Sequence, residues 1–160
     1  MSKETILVVD DNSDLREALE TALTNAGFTT VVAEDGVAGL EAALKYKPNL
    51  ILLDIMMPNM NGHQMLGELR RDPWGKHAQV LFLTNLDDPK DIVESFERAG
   101  DDFIIKSNTS LKDIVTKVKQ HLAGYVDHRS ILRFSDASIC YLLYTDRVSY
   151  GIFPLEYLVE

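Results

Sequence analysis

Four short apolar runs in this chain each end in a polar group able to do chemistry. Asp10 and Asp11 follow Ile6 to Val9, Asp54 follows Leu50 to Leu53, Thr84 follows Val80 to Leu83, and Lys106 follows Phe103 to Ile105. Singly, each has an ordinary explanation. An Asp after a strand is commonly a turn former or a helix N-cap, and a lysine at a strand end is commonly a solvated boundary residue. Jointly they point elsewhere. Three carboxylates gathered in a small space repel one another, which raises their pKa values and costs stability unless a cation joins them. Hard carboxylate oxygens at a partly open site suit Mg²⁺, which keeps several waters and uses few protein ligands. A cation beside a carboxylate, faced by a lysine and a hydroxyl, is equipped to bind and transfer a phosphoryl group. Asp54 would be the nucleophile and form an acyl phosphate. Lys106 and the cation would offset charge on the phosphoryl oxygens while Thr84 donates a hydrogen bond to one of them. The group gains roughly 1.5 to 2 negative charges, enough to rearrange nearby loops.

The elements that must position these residues are legible in the hydrophobic pattern. Apolar runs at Ile6 to Val9, Thr29 to Ala33, Leu50 to Leu53, Val80 to Leu83 and Phe103 to Ile105 alternate with stretches of helical period. That alternation marks a parallel sheet covered by helices, and continuous rather than alternating runs mark strands buried on both faces. Leu15, Ala18, Leu19, Ala22, Leu23 and Ala26 predict a first helix, with Ser13 and Asp14 as cap candidates and Gly27 as its stop. Asp35 is expected to cap a second, with Val37, Leu40 and Leu44 on one face and Pro48 ending it. Residues 62–71 and 89–99 give a third and a fourth, and Leu111, Ile114, Val115, Val118 and Leu122 form the stripe of a fifth, with Ser110 and Asp113 as a capping box. Five βα units fit a doubly wound α/β fold, whose ligands bind outside the carboxyl ends of the strands. Four of the five strands deliver a polar group to that edge.

The set ILVVDDN, LILLDIMMPNMNG, VLFLTN and FIIKS, in this order and spacing, resembles the receiver domain of bacterial two-component response regulators over roughly residues 4–122. The resemblance implies a flavodoxin-like five-stranded parallel sheet of order 2-1-3-4-5 with five helices. It implies phosphorylation of Asp54 by a histidine kinase or phosphotransfer protein carrying phosphohistidine. It also implies Mg²⁺ held by Asp11, Asp54 and the backbone carbonyl of Met56, with Asp10 acting through water. Pro58 and Gly62 match the family's loop after the phosphorylated Asp, and Phe103 falls at its aromatic switch position, coupled to the Thr84 hydroxyl. Core packing is the competing explanation for Phe103. The chain departs from the family at two points. Asn85 stands where Ala or Gly is usual after the threonine, and Ser107 where a cis proline usually follows the lysine. A non-proline cis bond costs about 2.5 to 4 kcal/mol, so the approach of Lys106 to Asp54 is open.

The composition narrows the partners. A formal net charge of −9 argues against a mechanism that neutralises many phosphates, so no direct nucleic-acid binding is expected. One cysteine, Cys140, excludes an intramolecular disulfide and a CxxC metal site. No apolar run approaches the roughly 20 residues that span a bilayer, and MSKETILVVDD does not read as a signal peptide; a cytoplasmic location without membrane attachment is expected. Residues 1–122 form the expected receiver domain. The extension, 123–160, holds seven of the thirteen aromatic residues and is therefore a separate segment. It is expected to be a β-hairpin of 139–144 with 148–153 packed on the receiver, a dimerisation or partner-binding element for a homodimer or a downstream protein, or the truncated start of a longer output region. A Mg²⁺-dependent phosphatase or phosphotransferase with an aspartyl-phosphate intermediate, as in the haloacid dehalogenase superfamily, is the alternative. That family places a second Asp two positions after the nucleophile, where Met56 stands here. A nucleotide or flavin binder is disfavoured by the lack of any GxGxxG or GxxxxGK[ST] run.

Overall fold

The structure is a computed structural model that describes residues 2–85, 103–124, 131–133 and 140–142. The chain divides into two units, Met1–Leu122 and Ala123–Glu160. In the first, strands β1 (Thr5–Val9), β2 (Thr29–Ala33), β3 (Leu50–Asp54), β4 (Val80–Thr84) and β5 (Phe103–Ile105) form one sheet in the order β2-β1-β3-β4-β5. Every neighbouring pair is parallel. β3 and β4 are buried at every residue, and β1 at all but Thr5. β2, on the edge, buries only Ala33. Continuous Val, Ile and Leu runs therefore occupy the middle, where both faces are covered.

Ile6, Val8, Leu50 and Leu52 join Leu19 and Leu23 of helix α1 (Ser13–Asn25) and Ile114 and Val118 of helix α4 (Leu111–Leu122) in a core cluster. Helix α2 (Gly36–Tyr46) meets β1 and helix α3 (Gly62–Leu69) through small residues. A Cβ on Gly39 would lie 2.7 Å from the Val9 side chain and 2.9 Å from the Met65 sulfur. This corrects the expected face of α2: its buried residues are Gly36, Gly39 and Ala43, while Val37 and Leu44 are exposed. A helix packed that closely presents its smallest residues to the sheet, and the larger aliphatic ones are left outside.

The helix starts carry further corrections. The α1 cap is Asn12, whose Oδ1 accepts from the Leu15 N–H at 3.0 Å, not Ser13 or Asp14. Extended backbone at Asn12 places its side chain over the first turn, as an N-cap requires. Asp35 caps α2 as expected, accepting from the Ala38 N–H at 2.8 Å. Helix α3 is shorter than 62–71 and begins with a capping box of Asn61 and Gln64 that the periodicity did not reveal. Ser110 and Asp113 do pair, with the Asp113 N–H donating to Ser110 Oγ at 3.2 Å and that hydroxyl donating to the Asp113 carboxylate at 2.6 Å. Four α-helices lie among the described residues; the expected helix at 89–99 falls outside them.

In the second unit, β6 (Ile131–Arg133) pairs antiparallel with β7 (Cys140–Leu142). β7 falls within the expected arm of 139–144, and its described partner is an upstream strand that the sequence reading did not single out. The expected arm at 148–153 lies outside the described residues.

Candidate functional site

Strand register gathers the polar residues. Val9 pairs with Leu53 and Leu83 with Asp54, so Asp10 and Asp54 come level on adjacent strands, and Thr84 lies one step beyond Leu83. Thr84 pairs in turn with Ile105, which puts Lys106 next along the same edge. Among the described residues the buried polar or charged ones are Asp10, Asp54 and Thr84, and all three stand at strand carboxyl ends. A core that admits polar groups at one edge only has a reason to do so there, because burying them unpaired costs several kcal/mol.

One carboxylate oxygen from each of Asp10, Asp11 and Asp54 lies within 4.8 Å of the others. The Lys106 ammonium stands 2.5 Å from Asp10 Oδ2 and 3.0 Å from Asp54 Oδ2. Three carboxylates against one ammonium leave an excess of about two negative charges. Asp10 is held from several sides. Its Oδ1 accepts from the Asn12 N–H at 2.9 Å, its N–H donates to Ala33 O at 3.2 Å, and its carbonyl accepts from Arg16 Nη1 at 2.7 Å. Its Oδ2 is fully buried and faces the Lys106 ammonium, with no other partner among the described residues. Burial pushes the Asp54 carboxyl up to about 6; the charge of Asp10 adds to the rise, Lys106 opposes it, and Asp11 contributes a little more. The open question about Lys106 has an answer: no peptide bond among the described residues is cis, and the ammonium reaches Asp54 regardless.

Thr84 is buried at the edge, and its hydroxyl donates to the Asn85 carbonyl at 3.2 Å. Asn85 itself is exposed. Met56, two residues past Asp54, is 70% exposed at the start of the β3–α3 loop. The loop closes through the Gly62 N–H, which donates to Ile55 O at 2.8 Å. Gly62 has no room for a side chain, because a Cβ there would strike the Asp54 carbonyl oxygen. Phe103 belongs to β5 opposite Phe82, but the relay assigned to it rests on a side chain outside those described. Asn12 and Arg16 are the parts of the site that sequence reasoning missed. Asn12 was signalled by its place after an acidic pair and before a helix; nothing in the pattern signalled Arg16.

The chain belongs to the response regulator receiver domain family, whose family model matches residues 6–119. It is 38% identical over 138 residues to the DNA-binding response regulator MtrA of Mycobacterium tuberculosis (strain ATCC 25618 / H37Rv), covering 86% of this chain and 59% of MtrA. It is 35% identical over 122 residues to a Porphyridium aerugineum protein named "Probable transcriptional regulator ycf27", covering 76% of this chain and 49% of the relative. The chain thus spans about half to three fifths of the length of these curated relatives. Among solved structures, the signal receiver domain of a signal transduction histidine kinase from Syntrophus aciditrophicus aligns with a TM-score of 0.69 at 32% identity, over 81% of this chain and 98% of that one. The chemotaxis response regulator CheY4 of Vibrio cholerae aligns at 0.68 and 25% identity, over 76% and 99%.

These relatives overturn one expectation. The exclusion of nucleic acid rested on the net charge of −9, yet relatives of this chain are DNA-binding response regulators. Net charge sums over a whole chain and reports mostly on the acidic receiver surface, so it cannot exclude DNA contacts made by other parts of a regulator. Among the described residues, no helix is long and apolar enough to cross a membrane.

Proposed function

We propose that this chain is a phosphorylation-controlled receiver that takes a phosphoryl group from a phosphohistidine onto Asp54. The observation that carries the reading is the burial of Asp10, Asp54 and Thr84 at one sheet edge, with the Lys106 ammonium shared between the two carboxylates. A carboxylate oxygen of Asp54 attacks phosphorus, the P–N bond to the donor imidazole breaks, and the imidazole leaves with the electron pair. Lys106 then pairs with phosphoryl oxygens, and Thr84 turns its hydroxyl from the Asn85 carbonyl to donate to one of them. Loss of the old pairings is what transmits the event to the loops and so to a protein-interaction surface.

Asp11, Asp54 and the Met56 carbonyl, with Asp10 through water, are the donors that would hold Mg²⁺. The set fits on two counts: every donor is a hard oxygen, and the site carries an excess negative charge close to that of a dication. Bound there, the ion supplies positive charge for the phosphoryl oxygens. The phosphoryl donor is a sensor histidine kinase or phosphotransfer protein, and the setting is cytoplasmic. On the likeness to the DNA-binding response regulator MtrA, the output that the receiver controls is DNA binding.

Incubation with Mg²⁺ and acetyl phosphate should add one hydroxylamine-sensitive phosphoryl group by intact mass, and Asp54→Asn should add none. Phosphorylation that persists in Asp54→Asn would place the acceptor elsewhere. Sustained turnover of small phosphate esters would instead favour the phosphatase alternative.

A further inference from the structure

Outside the acidic cluster, the most unusual construction is the way the loop after β3 is fastened. Residues 55–61 leave Asp54, pass through the exposed Met56 and return at Gly62. The base of this loop is closed by the Gly62–Ile55 hydrogen bond and by the Asn61–Gln64 capping box of α3. Its tip is fastened to a different helix. Asn59 sits in the left-handed region at φ 65° and its Nδ2 donates to Asp35 Oδ2 at 2.8 Å. The neighbouring Met60 carbonyl accepts from the Gly36 N–H at 3.1 Å, and a Cβ on Gly36 would collide with that oxygen. Asp35 is therefore bifunctional: Oδ1 caps α2 through the Ala38 N–H, and Oδ2 holds the loop tip. The Ala38 N–H and, after it, the Asn59 amide hold the Asp35 carboxyl below the ordinary carboxylate range, as expected for an ionised group serving both.

We infer that Asp35 and Asn59 are positioning residues for the cation site, fixing the β3–α3 loop so that the Met56 backbone is presented ready to receive the metal. The inference rests on the proposed function, in which the Met56 carbonyl is a ligand. Met56 lies between the two anchors, three residues from Asn59, on a stretch where Met56, Pro58 and Asn59 are all exposed. A ligand on a loose loop must be ordered when the ion binds, and that ordering opposes binding. Fastening the tip to a helix end removes that cost beforehand, in the way outer partners orient metal ligands. Asn59→Ala would confuse this with backbone strain, since the left-handed φ disfavours other side chains.

The test is calorimetric titration of the full chain with Mg²⁺, with thermal melting run in parallel. Asp35→Ser keeps a capping oxygen but is too short to reach Asn59, and Asn59→Gly removes the amide while accepting the left-handed backbone. Each should weaken Mg²⁺ binding about tenfold, as outer-partner losses do at their smaller end. The double variant should lose no more than either single one, because both remove the same hydrogen bond. Wild-type affinity in both single variants, or losses that multiply in the double, would overturn the inference while leaving the proposed function standing. A wild-type chain that takes up no Mg²⁺, or an Asp54→Asn variant that binds it as the wild type does, would overturn the reading of the site and the inference with it.

Discussion

Strands β2 and β3 are both five residues long, parallel and followed by a turn into a helix, and each brings an aspartate to the same edge of the sheet. At β3 the aspartate is the last strand residue, in the middle of the sheet, 5% exposed beside two other carboxylates. At β2, on the sheet edge, Asp35 stands two residues beyond the strand with a backbone N–H and an amide donating to its carboxylate. Burial and like charge push Asp54 up to about 6, whereas hydrogen bonds pull Asp35 down. The difference teaches that strand position decides the chemistry of the residue that follows. A carboxylate at a central strand end is held in a destabilised state that a metal or a phosphoryl group can relieve, and one at an edge becomes an anchor.

The contrast can be broken most strongly at Lys106. Lys106→Met leaves Asp10 and Asp54 buried without their shared ammonium, and breaking a buried pair in this way costs about 3 kcal/mol or more. Urea denaturation of the metal-free variant should show the full loss at pH 8 and a smaller one at pH 5. Without the ammonium, the Asp54 pKa rises further and the carboxyl takes up a proton.

Asp54→Asn should act in the opposite direction. A carboxyl raised from 3.8 to about 6 contributes stability that is fully present below the unfolded value and is lost as the pH rises through the folded one. Metal-free wild type should therefore weaken between roughly pH 4 and 7, by about 2 to 3 kcal/mol at about 1.36 kcal/mol per unit. Asp54→Asn should be more stable than wild type by that amount at pH 8, with the two converging toward pH 4. A flat wild-type profile would remove the contrast with Asp35.

Gly62→Ala tests the packing that seats Asp54. Its methyl would meet the Asp54 carbonyl oxygen, so α3 must shift, at a cost of about 2 kcal/mol in denaturant titrations. The smallest effect is expected at Asp35. Its lowered pKa makes its contribution present above the unfolded value and lost as the pH falls through the folded one. Asp35→Ala should lower the melting temperature slightly at pH 7, and the difference should fade on acidification below the ordinary carboxylate range.

Much of the site was legible because chemistry-bearing residues follow apolar runs, and a parallel sheet sends all such positions to one edge. The cap at Asp35, the stop at Gly27 and the pairing of Ser110 with Asp113 were equally legible, since each depends on neighbours within a few residues. The core-facing side of α2 was misread because Val37 and Leu44 outrank Gly39 and Ala43 in hydrophobicity, while the close approach of helix to sheet favours the small pair. The pairing of β6 with β7 went unforeseen for a related reason: short apolar runs in 123–160 offer several registers, and local pattern does not choose among them.

By itself, then, the sequence determined the alternating α/β order, the strand-end positions of Asp10, Asp11, Asp54, Thr84 and Lys106, and the class of chemistry those types allow. These are properties of local period and residue identity. The tertiary structure alone decided that Asp10, Asp54 and Thr84 are buried and that one ammonium serves two carboxylates without a cis bond. It also decided that Arg16 and Asn12 brace Asp10 and that Asp35 holds a loop 24 residues away in sequence. Burial, shared charge and long-range hydrogen bonds depend on which strands become neighbours, and no period within a single segment encodes that.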